Sequence, residues 1–423
     1  MSTSAPINDD SLARKLGAEY DCVIFGGGLS GLVVTNRLTE NRKSISLSVL
    51  VVENGVIDDQ PASRVPSIEG FPKPLGTFWT PNTIDNSTKK RCYARFAYCD
   101  PIQKRSTLHL LTSTHVNEIL FESCGKLAAS GAKITNNGNA LTTCVYAAKE
   151  VILAAGGIFT PHLLLLSGIG PKDVLSAANI SIKRELPAAL GRGNAAAFLA
   201  FKQFSSKYHN VTGQISKQDA TACHPERYSK NEALSKGFFA QRKILIEHYL
   251  SDNAATGEYS IQPWGRATTA VQKPLSRGTL TLNTMHLLAN TIVVRNAFQN
   301  PVDKQVLGKL VRWNRKHWAK QPLLQRYSPV ETVPGVQYQT DEEIFDASTK
   351  AAALDPAYAR SSGGCALMPE ELEGCVDPKP RVYGVERLRI VDASILPLIP
   401  ADHLQATMYA IAEKAVDIIK GVH

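Results

Sequence analysis

The chain has 423 residues, of which 43% are hydrophobic and 20% charged, with 29 Gly and 23 Pro. These values exclude a miniature scaffold, a collagen, a coiled coil and a disordered polymer, and they leave two or three packed domains. The 47 Lys and Arg against 38 Asp and Glu give a net charge of +9, which raises nucleic acid or acidic partners as a question. The basic residues are scattered, apart from Lys89, Lys90 and Arg91 and the group Arg312, Arg315, Lys316 and Lys320. No zinc-finger spacing or aromatic RNA motif accompanies them, so nucleic acid is not an expected partner.

Cys22, Cys92, Cys99, Cys124, Cys144, Cys223, Cys365 and Cys375 form no CxxC and have no His at zinc-ligand spacing, so no metal is expected. The first 21 residues contain acids and no continuous apolar core, and nothing approaches 18 uninterrupted apolar residues. The expectation is a cytoplasmic protein with reduced thiols and no membrane partner.

In chain order, a short apolar strand from Cys22 to Phe25 leads into Gly26, Gly28 and Gly31 in GxGxxG spacing. A helical pattern follows at Leu32, Val33, Asn36 and Leu38. The first Gly permits a tight turn, the second lets a pyrophosphate approach the backbone, and the third lets helix pack on strand. The new helix turns its free N–H groups and positive dipole end toward the phosphates. A second strand, Val49 to Val52, ends at Glu53, which is 53 − 31 = 22 residues past the last Gly. An acid there can hydrogen-bond a ribose. The stretch LHLLTSTHVNEILFE reads as antiparallel strand, a turn at Asn137-Gly138 predicts a hairpin, and a strand over 151–154 runs into Gly156-Gly157. A βαβ unit followed by a small meander and a return strand ending in Gly is more characteristic of an FAD fold than of a nicotinamide dehydrogenase.

Further on, EYSIQPWGR and GTLTLN are strand candidates, and Asn300-Pro301 opens a helix with Leu307, Val311, Asn314 and Trp318 on one face. The arginines and lysines of that helix read as a solvated surface. The last pattern, with Leu404, Met408, Ile411, Ala412, Ala415 and Ile418 on one face, predicts a helix over 404–420.

Taken together, YDCVIFGGGLSGLVVTNRL with VVENG, GGIFTPHLLLLSGIG, LSRGTLTLN and DPKPRVYGVERLRIVDASILPLIPADHLQATMYAIAEKAVDII resemble the glucose-methanol-choline (GMC) oxidoreductase family, fungal members above all. The resemblance implies an α/β chain with a Rossmann-type FAD-binding domain, discontinuous over 15–199 and 361–423, and a second, α+β substrate domain over 200–360. It implies FAD as cofactor and hydride transfer from the CH–OH group of a small alcohol to flavin N5, and the fungal likeness points to secondary metabolism. Carried over by position, Leu29 and Ser30 would lie at the pyrophosphate turn, Glu53 at the adenosine ribose and Val116 beside the adenine. Gly156 offers a second backbone approach, Asp392 and Ala393 would sit near the pyrophosphate and ribityl chain, and His403 with Leu404 at the flavin ring.

The chain departs from the family pattern in three places. A GGSS-type stretch that helps cover the flavin is absent, and LPAALGRGNAAAFLAF stands where the family has an Asp-His. The H-x-x-G-T stretch reads Arg360-Ser361-Ser362-Gly363-Gly364. Alcohol oxidation needs a base for the hydroxyl proton as hydride departs, a role that suits imidazole near neutral pH. His403 keeps the family position for that base, while Arg360, whose pKa stays above about 12, cannot act as one and instead orients a carboxylate or a developing alkoxide. Two alternatives stay open: a catalytically silent flavoprotein or scaffold, and a non-redox lyase or isomerase using His403 and Arg360. Substrate identity, electron acceptor and oligomeric state are not readable from the residues.

Overall fold

The computed structural model describes residues 19–40, 47–55, 76–77, 94–124, 126–136, 142–181, 183, 197–261, 267–287, 289–320, 322–326, 328–355, 361–401 and 404–421. The hairpin turn expected at Asn137-Gly138 lies outside them, as do Arg360 and His403. The chain opens with β1 (Glu19–Phe25), α1 (Leu29–Leu38) and β2 (Val49–Val52). Next come β3 (Gly76–Thr77), β4 (Leu108–Leu111), and the long strands β5 (Thr114–Cys124), β6 (Lys126–Asn136) and β7 (Thr142–Leu153). The main sheet runs β4-β2-β1-β7-β6-β5, and a late strand, Leu388–Ile390, also pairs with β7.

The strands β4, β2, β1 and β7 are parallel to one another, whereas β5, β6 and β7 form an antiparallel meander. LHLLTSTHVNEILFE is therefore not one antiparallel strand. Its first four residues pair in parallel with β2, and Ser113, in the left-handed region at φ 51°, turns the chain before β5 begins. The free edge of β2 and the meander each take one half of a segment that looks uniform in sequence.

Alternation along the strands divides two cores. Val23, Phe25, Leu50, Val52, Val151 and Leu153 face one layer, with Leu163, Leu164 and the meander residues Ile119 and Ile134. Cys22, Ile24, Val49, Val51 and Ile152 face the other, with Val33, Val34 and Leu38 of α1 and Ala412, Ala415 and Val416 from the C-terminal helix. A sheet buried on both faces explains why its strands read as continuous apolar runs.

After β7 come α2 (Gly156–Leu166) and α3 (Lys172–Ala177), and then a second, four-stranded sheet with order β10-β9-β8-β3. It is built from β8 (Ala197–Ala200), β9 (Ala255–Ile261) and β10 (Ala267–Val271), with β3 at its edge. Helices α4 (Tyr208–Lys217), α5 (Glu232–Leu250) and α6 (Pro301–Lys320) pack on it. A separate pair, β11 (Thr279–Thr281) and β12 (Ile292–Val294), packs on α2 and α3 through Leu280 and Val293, and α7 (Asp341–Lys350) follows. Asn300 caps α6 as expected, its Oδ1 accepting from Val302 N at 3.0 Å. The stripe that α6 buries is Val302, Val306 and Leu310 with Leu307, while Val311, Asn314 and Trp318 are only half-buried.

β13 (Leu388–Ile390) returns the chain to the main sheet, and α8 (Gln405–Lys420) completes it. The last helix starts one residue later than its apolar pattern suggests. Leu404 sits at φ 53° as the residue before the first turn, a left-handed conformation that cannot continue a helix.

Candidate functional site

The register of the parallel strands sets five chain ends on one line. Leu111 pairs with Val52, Val52 with Phe25, Phe25 with Leu153, and Leu153 with Ile390. Beyond this carboxyl edge lies the place where open α/β sheets take ligands, and the loops that leave it carry most of the residues singled out from the sequence.

The turn from β1 to α1 comes first. Gly26 has φ 111°, a conformation open to glycine, and a Cβ there would lie 2.3 Å from the Ala154 carbonyl oxygen. At Gly31 a Cβ would come within 1.9 Å of the Gly26 carbonyl oxygen. These two glycines let helix, turn and return strand touch. Gly28 differs: its Cβ would meet no described atom within 4 Å, and the same is true of Gly156, where φ is 86°. Among the described residues nothing fills the space at either place, one at the N-terminus of α1 and one at the N-terminus of α2.

Glu53 sits at the end of β2 and reaches back across the turn. Its Oε2 accepts from Gly27 N at 2.6 Å and its Oε1 from Gly55 N at 2.7 Å. A carboxylate has about four acceptor positions, so two remain for a ribose diol. Val116 lies on β5 opposite Ile134, half-buried against the core; its strand is tied to Glu53 by Thr114 N donating to the Glu53 carbonyl at 3.0 Å. Ser30 is buried. Leu29 and Ala393 pack with Leu396, Ile399, Leu404 and Met408 in one apolar cluster, so two stretches more than 360 residues apart in sequence meet at the start of α1.

Asp392 is buried, and its carboxylate faces protein donors on all sides. Oδ2 accepts from Gly156 N at 2.9 Å and Thr160 Oγ1 at 2.6 Å; Oδ1 accepts from Ser394 N at 2.9 Å and Ser394 Oγ at 2.6 Å. Burial pushes this carboxyl above its usual range although the hydrogen bonds from Ser394, Thr160 and Gly156 pull the other way. Sequence reasoning did not find Thr160 or Ser394, and neither has a motif of its own; the Asp-x-Ser spacing of a local turn is the only signal for the second. At Gly157, which the sequence pairs with Gly156 as a second backbone approach, a Cβ would lie 2.1 Å from the Ser361 carbonyl oxygen, so the segment after Arg360 crosses directly over the start of α2.

Beside the second sheet, Lys273 is buried and its Nζ donates to the Ile399 carbonyl, and Leu398 packs into the core between that sheet and helices α4, α5 and α6. Leu398 and Ile399 thus link the second sheet and its helices to the apolar cluster at the start of α1. Among the described residues no group of His, Cys, Asp and Glu could hold a metal, and no helix is long and apolar enough to cross a membrane.

The residues present fit the dinucleotide half of FAD: an open glycine backbone at a helix N-terminus for the pyrophosphate, and an acid with spare acceptor positions for the ribose. Comparison with known proteins agrees with this geometry. The N-terminal GMC oxidoreductase profile matches residues 71–191 and the C-terminal one residues 274–412. The chain belongs to the GMC oxidoreductase family, whose members are FAD-dependent enzymes. It is 29% identical over 401 residues to the dehydrogenase xptC of Emericella nidulans, covering 82% of this chain and 63% of that protein. It is 31% identical over 392 residues to the GMC oxidoreductase family protein Mala s 12 of Malassezia sympodialis (82% and 61%) and 30% identical over 388 residues to the versicolorin B synthase stcN of Emericella nidulans (84% and 60%). The chain therefore spans about three-fifths of the length of these relatives. In fold it resembles an FAD-dependent oxidoreductase from Chaetomium thermophilum, with a TM-score of 0.85 at 23% identity, covering 95% of this chain and 99% of that one. A fungal aryl-alcohol oxidase gives 0.82 at 20%, covering 95% and 98%.

Proposed function

We propose that this chain binds FAD non-covalently and oxidises the CH–OH group of a small organic alcohol. The observation that carries the reading is the open glycine backbone at Gly28 beside Glu53, on the line of strand ends where open α/β sheets take ligands. FAD, when bound, supplies the two-electron hydride acceptor. The turn Gly26–Gly31 and Glu53 bind its nucleotide end, Leu29, Ala393 and Leu404 form an apolar wall, and the segment 361–363 shields the start of α2. His403 takes the hydroxyl proton, and Arg360 orients a carboxylate or a developing alkoxide. The division into an FAD domain over 15–199 and 361–423 and a substrate domain over 200–360 belongs to the same proposal, as does a cytoplasmic location. All six cysteines whose side chains are described are free, and titration under denaturing, non-reducing conditions should find eight thiols.

A second reading is favoured by two observations. Arg360 stands where the family has a histidine, and one of the relatives is named a synthase rather than a dehydrogenase. In that reading His403 and Arg360 serve as acid-base and electrostatic groups of a lyase or isomerase on the same fold. The absorption spectrum after dialysis against excess FAD decides the first point: a yellow protein is expected, and a colourless one sinks the flavoprotein reading. Anaerobic mixing with an alcohol panel then decides the second. Bleaching that is lost in His403→Ala, with FAD retained, supports oxidation; a flavin that no alcohol reduces favours the non-redox chemistry.

A further inference from the structure

Asp392 is the acid that the family resemblance sets near the cofactor, yet its four acceptor positions are all filled by this chain's own donors. Two of those donors belong to the start of α2. Thr160 Oγ1 donates to Asp392 while accepting from Ala155 N at 3.1 Å, and Gly156 N donates to Asp392 directly. The other two belong to Ser394, in the short turn after β13. A helix N-terminus that is otherwise ready for an anion is thereby closed by an internal one.

The turn that Asp392 fixes is itself a template for the segment following Arg360. Gly363 N donates to the Ala393 carbonyl at 3.1 Å, Cys365 N to the Ser394 carbonyl at 2.8 Å, and Leu367 N to the Ile395 carbonyl at 2.8 Å. That same segment passes over Gly157 with no room for a Cβ. Three pieces of chain, 155–160, 392–395 and 363–367, are thus held in mutual register through one buried carboxylate and one threonine hydroxyl.

We propose that Asp392 and Thr160 form a positioning unit, which does not touch the phosphates but sets the segment 361–367 over the α2 end of the cofactor cradle. The inference rests on the proposed FAD site for its consequence and on the hydrogen bonds alone for its existence. Asp392 acts through Gly156 N, Ser394 and the carbonyls of residues 393–395, and Thr160 through Ala155 N. The phosphate-binding role then falls to the Gly28 turn by itself.

Thr160→Val is the sharp variant, because it keeps the shape of the side chain and removes the hydroxyl that links Ala155 to Asp392; Thr160→Ser restores it. Amide hydrogen exchange on the full chain without added FAD should show exchange at least tenfold faster over 155–160 and 363–367 in Thr160→Val. Thr160→Ser should stay within twofold of the wild type, with β5 and β6 unchanged in both. FAD titration followed by flavin fluorescence should show Kd raised tenfold or more in Thr160→Val and near wild type in Thr160→Ser. Unchanged exchange over 363–367, a rise that includes β5 and β6, or an unchanged Kd in Thr160→Val each overturns the proposal. A wild type that takes up no FAD sinks the flavoprotein reading instead, and the exchange pattern still decides whether the unit exists. Asp392→Asn puts an amide N–H₂ among four donors; it should reproduce the exchange pattern where it folds, and a wild-type pattern there also overturns the proposal.

Discussion

At the scale of single residues, the glycines of the first turn separate folding from binding. Gly31 is in contact with backbone: a Cβ would sit 1.9 Å from the Gly26 carbonyl oxygen, a distance that no side-chain adjustment relieves. Gly31→Ala should therefore fail to give soluble folded protein, or lower its Tm steeply, whether or not FAD is present. Gly28 meets open space, so Gly28→Val should fold with a Tm close to the wild type and yet lose FAD, because the side chain fills the room the pyrophosphate needs. Equal loss of Tm in both variants would show that the two glycines do one job. Glu53 belongs between them. In Glu53→Gln one of the two N–H groups, Gly27 or Gly55, loses its acceptor, which costs about 1–3 kcal/mol when the group stays out of water and less at this half-exposed position; urea unfolding of the FAD-free protein reads that difference.

Helices and strands were legible in the sequence wherever a periodic pattern coincided with one buried face. The β1–α1–β2 unit, the Asn300 cap and the apolar face of α8 stand where the residues place them. The parallel pairing of β4 was not, because four residues of alternating pattern look the same beside a parallel or an antiparallel neighbour. The basic surface of α6 was half legible. Arg315 does not end in solvent; its fork meets Glu331, which also accepts from Gly335 N, and Arg312 pairs with Asp341, so the two arginines hold the loop 331–341 against the helix while Lys316 and Lys320 stay exposed. Contacts of this kind join residues 16 to 29 positions apart through a turn that no local pattern announces. The same holds for the clasp between α1 and α8, where Arg37 binds Glu413 through Nε and Nη2 and the Tyr98 and Tyr409 rings stack at 5.5 Å. Glu413 raises the Arg37 pKa further, but the two side chains are 31% and 38% exposed, so water screens the pair. Glu413→Gln should cost no more than about 1 kcal/mol, and the difference from wild type should shrink in 1 M salt. A loss several times larger, insensitive to salt, would mean that the clasp carries the junction of the two helices.

For the whole molecule, the proposed catalytic pair was legible only as positions, since Arg360 and His403 take their meaning from a pattern shared with the family, and the lock at Asp392 was hidden because its two partners on the α2 turn lie 232 to 236 residues away. Wholly or partly buried histidines give a property that belongs to the fold as a whole. Burial holds His115, His162, His248 and His317 below the usual imidazole range; for His162 the Leu287 carbonyl opposes that shift weakly, and the neighbouring His115 adds to it. A group whose folded pKa is depressed binds fewer protons in the folded chain than in the unfolded one, so stability rises with pH through this range and falls as pH drops below about 6.5. Asp303 and Asp392, which burial raises, act in the opposite sense as pH nears the carboxylate range, so the histidine part has to be isolated by substitution. Thermal unfolding of the FAD-free chain should give a lower Tm at pH 5.5 than at pH 7.5. His162→Gln together with His115→Gln should make that slope shallower, because both rings lie between α2 and β5 and charging either one introduces a cation beside the other. If the double variant keeps the full slope, the acid sensitivity arises elsewhere and the α2–β5 contact is indifferent to protons.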